Sequence, residues 1–159
     1  MIQGICMLRK TLFGVAATAC LLAVLASAPA HALFGFGGKF QRVEPRDGVV
    51  TIPVSEVVDG DAHYYILKRD GFEVKFFLLK SPDGVIRAAF DACDVCFREK
   101  KGYVQDGEFM VCVNCSQRFH ASRINEVKGG CNPSPLEREA GPDVVTIRER
   151  DIMAGRGYF

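Results

Sequence analysis

Two cysteine pairs carry most of the chemistry this sequence can offer. Cys93-x-x-Cys96 and Cys112-x-x-Cys115 are separated by the fifteen residues 97–111. Two residues between cysteines let one tight turn bring both sulfurs to the same cation, and a short hairpin can deliver a second pair to the opposite side of a tetrahedron. Four thiolates in this pattern suit Zn²⁺, a single iron or an iron–sulfur cluster alike. A fifth cysteine, Cys131, stands in Gly129-Gly130-Cys131-Asn132-Pro133. Adjacent glycines let backbone N–H groups approach a ligand closely, and Asn-Pro forces a turn. We expect Cys131 at the same site, as an auxiliary ligand or reactive thiol. Two disulfides, or a redox-active C-x-x-C, are the alternatives. An odd number of thiols and the absence of a helix-opening context for either pair argue against both.

Other polar side chains are secondary. His120 follows the second pair and reads as a surface imidazole at a strand end, with ligation as the alternative. His63 opens an aromatic strand and reads the same way. Asp91 and Asp94 flank Cys93 and are expected to accept hydrogen bonds from turn amides, or else to ligate a hard metal. No nucleophile–base pair or paired carboxylates stand out, so a hydrolytic enzyme is not the reading.

The N-terminus carries a pattern of its own. Arg9 and Lys10 are the only charges in residues 1–32, an apolar run follows from Thr11 to Ala30, and Ala30-His31-Ala32 is a small-x-small site. That is the pattern of a signal peptide cleaved after Ala32, and it expects an exported, periplasmic protein. An uncleaved membrane anchor facing the periplasm is the rival, since the run approaches the ~20 residues that span a bilayer. On either reading Cys6 and Cys20 lie in the leader, which leaves five of the seven cysteines. The chain has 159 residues, 48% hydrophobic and 25% charged, with a formal net charge of +1. Such a composition excludes a disordered chain and gives no support to nucleic-acid binding.

The mature chain reads as mainly β with little helix. Residues 33–48 begin with LFGFGGKF and read as a linker or arm; 49–159 form one β-rich domain. Val49–Val54 alternates, and Pro53 makes it an edge strand or a strand end. His63–Lys68 and Phe72–Leu79 flank Asp70-Gly71, a strong hairpin signal. Phe72, Val74, Phe76 and Leu78 share one face. Ser81-Pro82-Asp83-Gly84 is a turn, and Val85–Phe90 then runs into the first cysteine pair. These segments predict a meander of about four strands. Tyr64, Tyr65, Phe76, Phe77 and Phe90 are expected in its core. Gly102–Gln105 and Phe109–Val113 form a zinc-ribbon-like hairpin across Asp106-Gly107. Pro133, Pro135 and Pro142 mark a loop, Val144–Ile147 a last strand, and Arg148–Ala154 one helical turn.

The strings AFDACDVC (89–96), KKGYVQDGEFMVCVNC (100–115), RFH and KGGCNPSPL (128–136) carry a resemblance. With the closing GYF, they resemble the FtrD-like membrane iron–sulfur protein family over most of the mature chain. The family pattern falls on Cys93, Cys96, Cys112, Cys115 and Cys131. The resemblance implies an iron–sulfur cluster or iron, with Zn²⁺ as the alternative, and a role in FTR-type iron uptake at the bacterial envelope. Its implied partners are a permease or a redox protein, and its implied role is electron transfer or metal-binding accessory. Many relatives span the membrane several times, whereas this sequence has a single apolar segment, through which membrane association would run. A structural zinc-ribbon module and a thiol–disulfide redox protein remain the competing functions.

Overall fold

The computed structural model describes residues 38–159. Ten strands carry it: β1 (Phe40–Val43), β2 (Val49–Pro53), β3 (His63–Arg69), β4 (Phe72–Lys80), β5 (Ile86–Phe90), β6 (Tyr103–Asp106), β7 (Phe109–Cys112), β8 (Arg118–His120), β9 (Glu139–Ala140) and β10 (Val144–Arg148). One short helix, α1 (Glu149–Ala154), follows β10, and single 3-10 turns punctuate the loops. The strands form three sheets, ordered β1-β3-β4-β5, β2-β10-β9 and β6-β7-β8.

The mainly-β reading holds, with two differences in pairing. The meander is β3-β4-β5, and its fourth strand is β1, not β2. Phe40–Val43 lies within the stretch expected to be a linking arm, yet it pairs parallel with β3 in the register Phe40↔Tyr64. A parallel partner needs no turn between the strands, so nothing local announces it. β2 instead pairs antiparallel with β10, Val50 opposite Ile147. It ends at Pro53 and lies at the edge of its sheet, as a proline requires.

The first sheet is buried on both faces, which explains why Phe76-Phe77-Leu78-Leu79 is an unbroken apolar run. Val74, Phe76 and Leu78 face one core with Tyr65, Leu67, Val50, Ile52, Val145 and Ile147. Phe77 and Leu79 face a second core that contains Tyr103, Met110, Ile124, Cys93 and Cys112. Phe90 is buried and Tyr64 is half-buried against the second core. Phe72 shares the Val74 face but sits at the hairpin tip, where it is 41% exposed.

The free edge of β5 is covered by residues 134–136. Phe90 N–H donates to the Ser134 carbonyl at 2.8 Å, Ser134 N–H to Ala92 at 2.9 Å and Leu136 N–H to Ala88 at 3.1 Å. Pro135 lies between the two donors of this short ladder, where its own missing N–H costs nothing. The stretch expected to be a proline loop is therefore an edge cover, and it carries Cys131 towards the first cysteine pair.

Arg87 anchors the same region from the other side. Its side chain is buried and donates to the Ile124 carbonyl (2.9 Å), Glu126 (2.6 Å), Asp83 (2.6 Å) and the Ser81 hydroxyl (3.1 Å). The Ser81 hydroxyl and the Arg87 guanidinium hold the Asp83 carboxyl down at about 2. A carboxyl depressed on folding stabilises the fold above its unfolded pKa of about 4, and that contribution is lost as pH falls through the folded value. Urea midpoints measured against pH should therefore show wild type ahead of Asp83→Asn at neutrality. The gap should close progressively below about pH 4.

Candidate metal centre

Each cysteine is delivered by a different backbone device. Cys93 leaves the end of β5, and the Cys96 N–H turns back to donate to its sulfur at 3.2 Å. A 3-10 turn, Phe97–Glu99, then redirects the chain into β6. The hairpin register sets Tyr103 opposite Cys112. The second knuckle closes by Ser116 N–H donating to the Cys112 carbonyl at 2.9 Å, and by Cys112 N–H donating to Gln117 at 2.9 Å. Cys131 arrives from the third direction, after Gly129 and Gly130, both at positive φ (85° and 64°).

The five sulfurs meet in two overlapping groups. Cys93, Cys96 and Cys112 hold their sulfurs within 4.8 Å of one another, and so do Cys96, Cys115 and Cys131. Cys96 belongs to both. Its sulfur is 4.0 Å from that of Cys131, about twice the ~2.05 Å of a disulfide bond. All five are free thiols. Cys131 thus joins Cys96 and Cys115 in the second group rather than standing apart from the two pairs. Cys6 and Cys20 lie outside the described residues.

The donor set suits a thiophilic cation. A tetrahedral ion with metal–sulfur bonds of about 2.3 Å keeps its sulfurs about 3.8 Å apart, so either group needs only small side-chain adjustments. Burial pushes the Cys112 thiol up to about 11, and burial with the neighbouring Cys115 and Cys96 pushes Cys131 up to about 12. The Gln117 N–H pulls Cys115 the other way. Clustered thiols resist ionising together because each thiolate repels the next; a bound cation reverses that balance. Cys93 and Cys112 are buried, whereas Cys96, Cys115 and Cys131 are half-buried, so one side of the cluster reaches the surface.

The flanking carboxylates play different roles from each other. Asp91 accepts the Tyr103 N–H at 2.7 Å and the Lys39 ammonium at 3.3 Å. That is an amide, as expected, but it belongs to the facing hairpin and not to the knuckle. Burial raises its pKa while Lys39 pulls it down. Asp94 accepts hydroxyls, not amides: Tyr158 at 2.7 Å and Ser134 at 3.3 Å. The closing Tyr158 thereby folds over the first knuckle, with its ring against Phe90 and Phe97. His120 lies outside both sulfur groups; it contacts the Ser122 hydroxyl at 2.8 Å and Glu108 at 3.2 Å. His63 is paired with Asp59 at 2.8 Å.

Tyr103 is the residue that sequence reasoning missed. Its hydroxyl donates to the Cys131 carbonyl at 2.5 Å, its N–H to Asp91, and its carbonyl accepts from Lys39 at 2.6 Å. Burial drives its phenol far above the ordinary value, and Cys93 adds to the effect. It therefore remains a neutral donor that ties the Cys131 loop to the hairpin. The only hint in the sequence was a Gly-Tyr dipeptide midway between the cysteine pairs. Tyr103→Phe should cost about 1–3 kcal/mol, because the Cys131 carbonyl loses its donor. Metal transfer to a chelator should also quicken, measurable by stopped absorbance traces on wild type and variant.

The sequence pattern described as "Membrane iron-sulfur containing protein FtrD-like" matches residues 57–159. The chain belongs to this FtrD-like family. All five clustered cysteines, Tyr103 and the closing Tyr158 fall inside the matched region. No curated protein matches the chain. Among solved structures it is similar to the quaternary ammonium Rieske monooxygenase CntA in complex with an inhibitor, at 16% identity and a TM-score of 0.43. That likeness covers 65% of this chain and 32% of the monooxygenase chain. Among the described residues of this FtrD-like protein, no helix is long and apolar enough to cross a membrane.

Proposed function

We propose that this FtrD-like protein is an exported iron-binding protein of the bacterial envelope. Its cysteine cluster holds iron, as an iron–sulfur cluster or a thiolate-bound ion, and it serves iron uptake as an electron carrier or accessory component. The observation that carries the reading is the convergence of five free thiols into two groups that share Cys96. When bound, a thiolate-ligated iron supplies one-electron redox chemistry. The chain's own residues would do the rest. Cys93 and Cys112 seat one side of the site in the core, while Cys96, Cys115 and Cys131 leave the other side near solvent, where a redox partner can approach. Val95 and Val113, one in each knuckle, are 61% and 43% exposed beside those sulfurs. Two apolar tips flanking the accessible edge suit transient docking of a redox partner or of a permease.

A structural zinc site is the second reading, favoured by the burial of Cys93 and Cys112 among Phe77, Tyr103 and Met110. A visible spectrum separates the two. Anaerobically purified full-length protein should show thiolate-to-iron absorption that dithionite bleaches and air restores. Colourless protein holding zinc would overturn the iron reading and leave the structural one.

A further inference from the structure

A cleft of about 500 Å³ opens beside the cysteine cluster, with Cys93, Cys96 and Cys112 among its lining residues. Lys39, Lys75, Lys100 and Lys101 also line it, and Phe72 and Phe97 contribute apolar wall. The two side-chain carboxylates on the lining are already matched: Asp91 by Lys39 at 3.3 Å, and Glu73 by Lys68. Among the described residues, Lys75, Lys100 and Lys101 have no carboxylate within 4.0 Å; Lys101 contacts only the Asn114 amide oxygen, at 3.1 Å. Three lysines without a paired carboxylate thus line one concavity, Lys75 also lying within electrostatic reach of Asp91 and Glu73, in a chain whose net charge is only +1. Low-dielectric walls concentrate such a field and draw anions in. A volume of this size lies within the roughly 300–1,000 Å³ of small-molecule sites.

We propose that this cleft binds a small organic polycarboxylate, the anionic shell in which a chelated metal ion would come within reach of Cys93, Cys96 and Cys112. Several positive charges call for a ligand with several negative ones, and the phenylalanine walls favour an organic anion over an inorganic one. The choice of a metal-carrying ligand rests on the iron-binding reading above; the anion site itself rests on the lysines.

The test is calorimetric titration of the full-length protein, as purified, at low ionic strength with citrate, gallium citrate and inorganic phosphate. Saturable binding of citrate and its gallium complex is expected, weakening as salt is raised. The double variant Lys75→Ala/Lys100→Ala should bind roughly tenfold or more weakly, a difference of about 1.4 kcal/mol or more. Lys80→Ala, at the far end of β4, should bind as wild type does. Binding unchanged in the double variant, no saturation at millimolar citrate, or phosphate binding as tightly as citrate would each overturn the proposal. Metal content measured on the same samples keeps the two readings apart. Metal-loaded protein that ignores citrate defeats only the cleft assignment, and metal-free protein that binds citrate at the lysines defeats only the iron reading.

Discussion

Cys96→Ser is expected to abolish metal retention and to lower the thermal midpoint more than serine at any other of the five cysteines. Cys96 is the one sulfur within 4.8 Å of both Cys93/Cys112 and Cys115/Cys131, so its loss breaks both groups at once. Serine at Cys131 removes a ligand from one group only. Metal ligation contributes folding free energy directly, about 10–16 kcal/mol in small zinc-folded peptides. Here the larger core around Tyr65, Phe76 and Ile147 has no cysteine in it and should survive. The expected cost is therefore a fraction of that figure, about 3 kcal/mol or more, which lowers the midpoint by roughly 10 °C or more in a domain of this size. Elemental analysis and thermal unfolding of Cys96→Ser, Cys112→Ser and Cys131→Ser, prepared side by side, check the ranking. A Cys96→Ser protein with full metal occupancy would show that the two groups do not act as one site.

Gly102→Ala should be severely damaging although it touches no cysteine. A Cβ built at Gly102 falls 2.2 Å from Asp91 Oδ2, and the backbone sits at φ +67°, which side chains rarely adopt. The clash cannot be relieved cheaply. The Asp91 carboxylate is buried and held by the Tyr103 N–H and by Lys39, so moving it breaks the link between the first knuckle and the hairpin. Strain and a broken buried network together predict a loss of about 3 kcal/mol or more, with weakened metal binding as a consequence. Gly107→Ala is the internal control. It has a similar φ of +58° but open space around it, and should cost only about 1 kcal/mol. Equal unfolding midpoints for the two variants would contradict the packing assigned to Asp91.

The sequence exposed what is local. Asp70-Gly71 and Ser81-Pro82-Asp83-Gly84 marked the hairpins, aromatic and β-branched content marked β3, the shared face of Phe72, Val74, Phe76 and Leu78 marked β4, and the cysteine spacing marked the site. What it hid depends on contacts between distant segments. β1 pairs in parallel, so no turn joins it to β3 and the glycine-rich approach reads as an arm. β2 finds β10 across most of the domain, which its alternation alone could not reveal. Residues 134–136 look like a proline loop because their partner, the edge of β5, is visible only once the sheet is built. Tyr103 matters only through the register that sets it opposite Cys112 and beneath the Cys131 loop. Similarly, the two-plus-two spacing suggested four equivalent ligands with Cys131 as an extra. The folded chain makes Cys96 the common member of two groups, and Cys131 part of the second.

The most direct test of a metal centre built from Cys93, Cys96, Cys112, Cys115 and Cys131 is elemental analysis of the purified full-length protein. It should be combined with mass-spectrometric counting of alkylated thiols before and after denaturation with a chelator. Bound iron or zinc is expected, with the five cysteines shielded in the folded protein and all alkylated once the metal is stripped. Metal-free protein, with these cysteines freely alkylated in the folded state or joined in two disulfides, would contradict it.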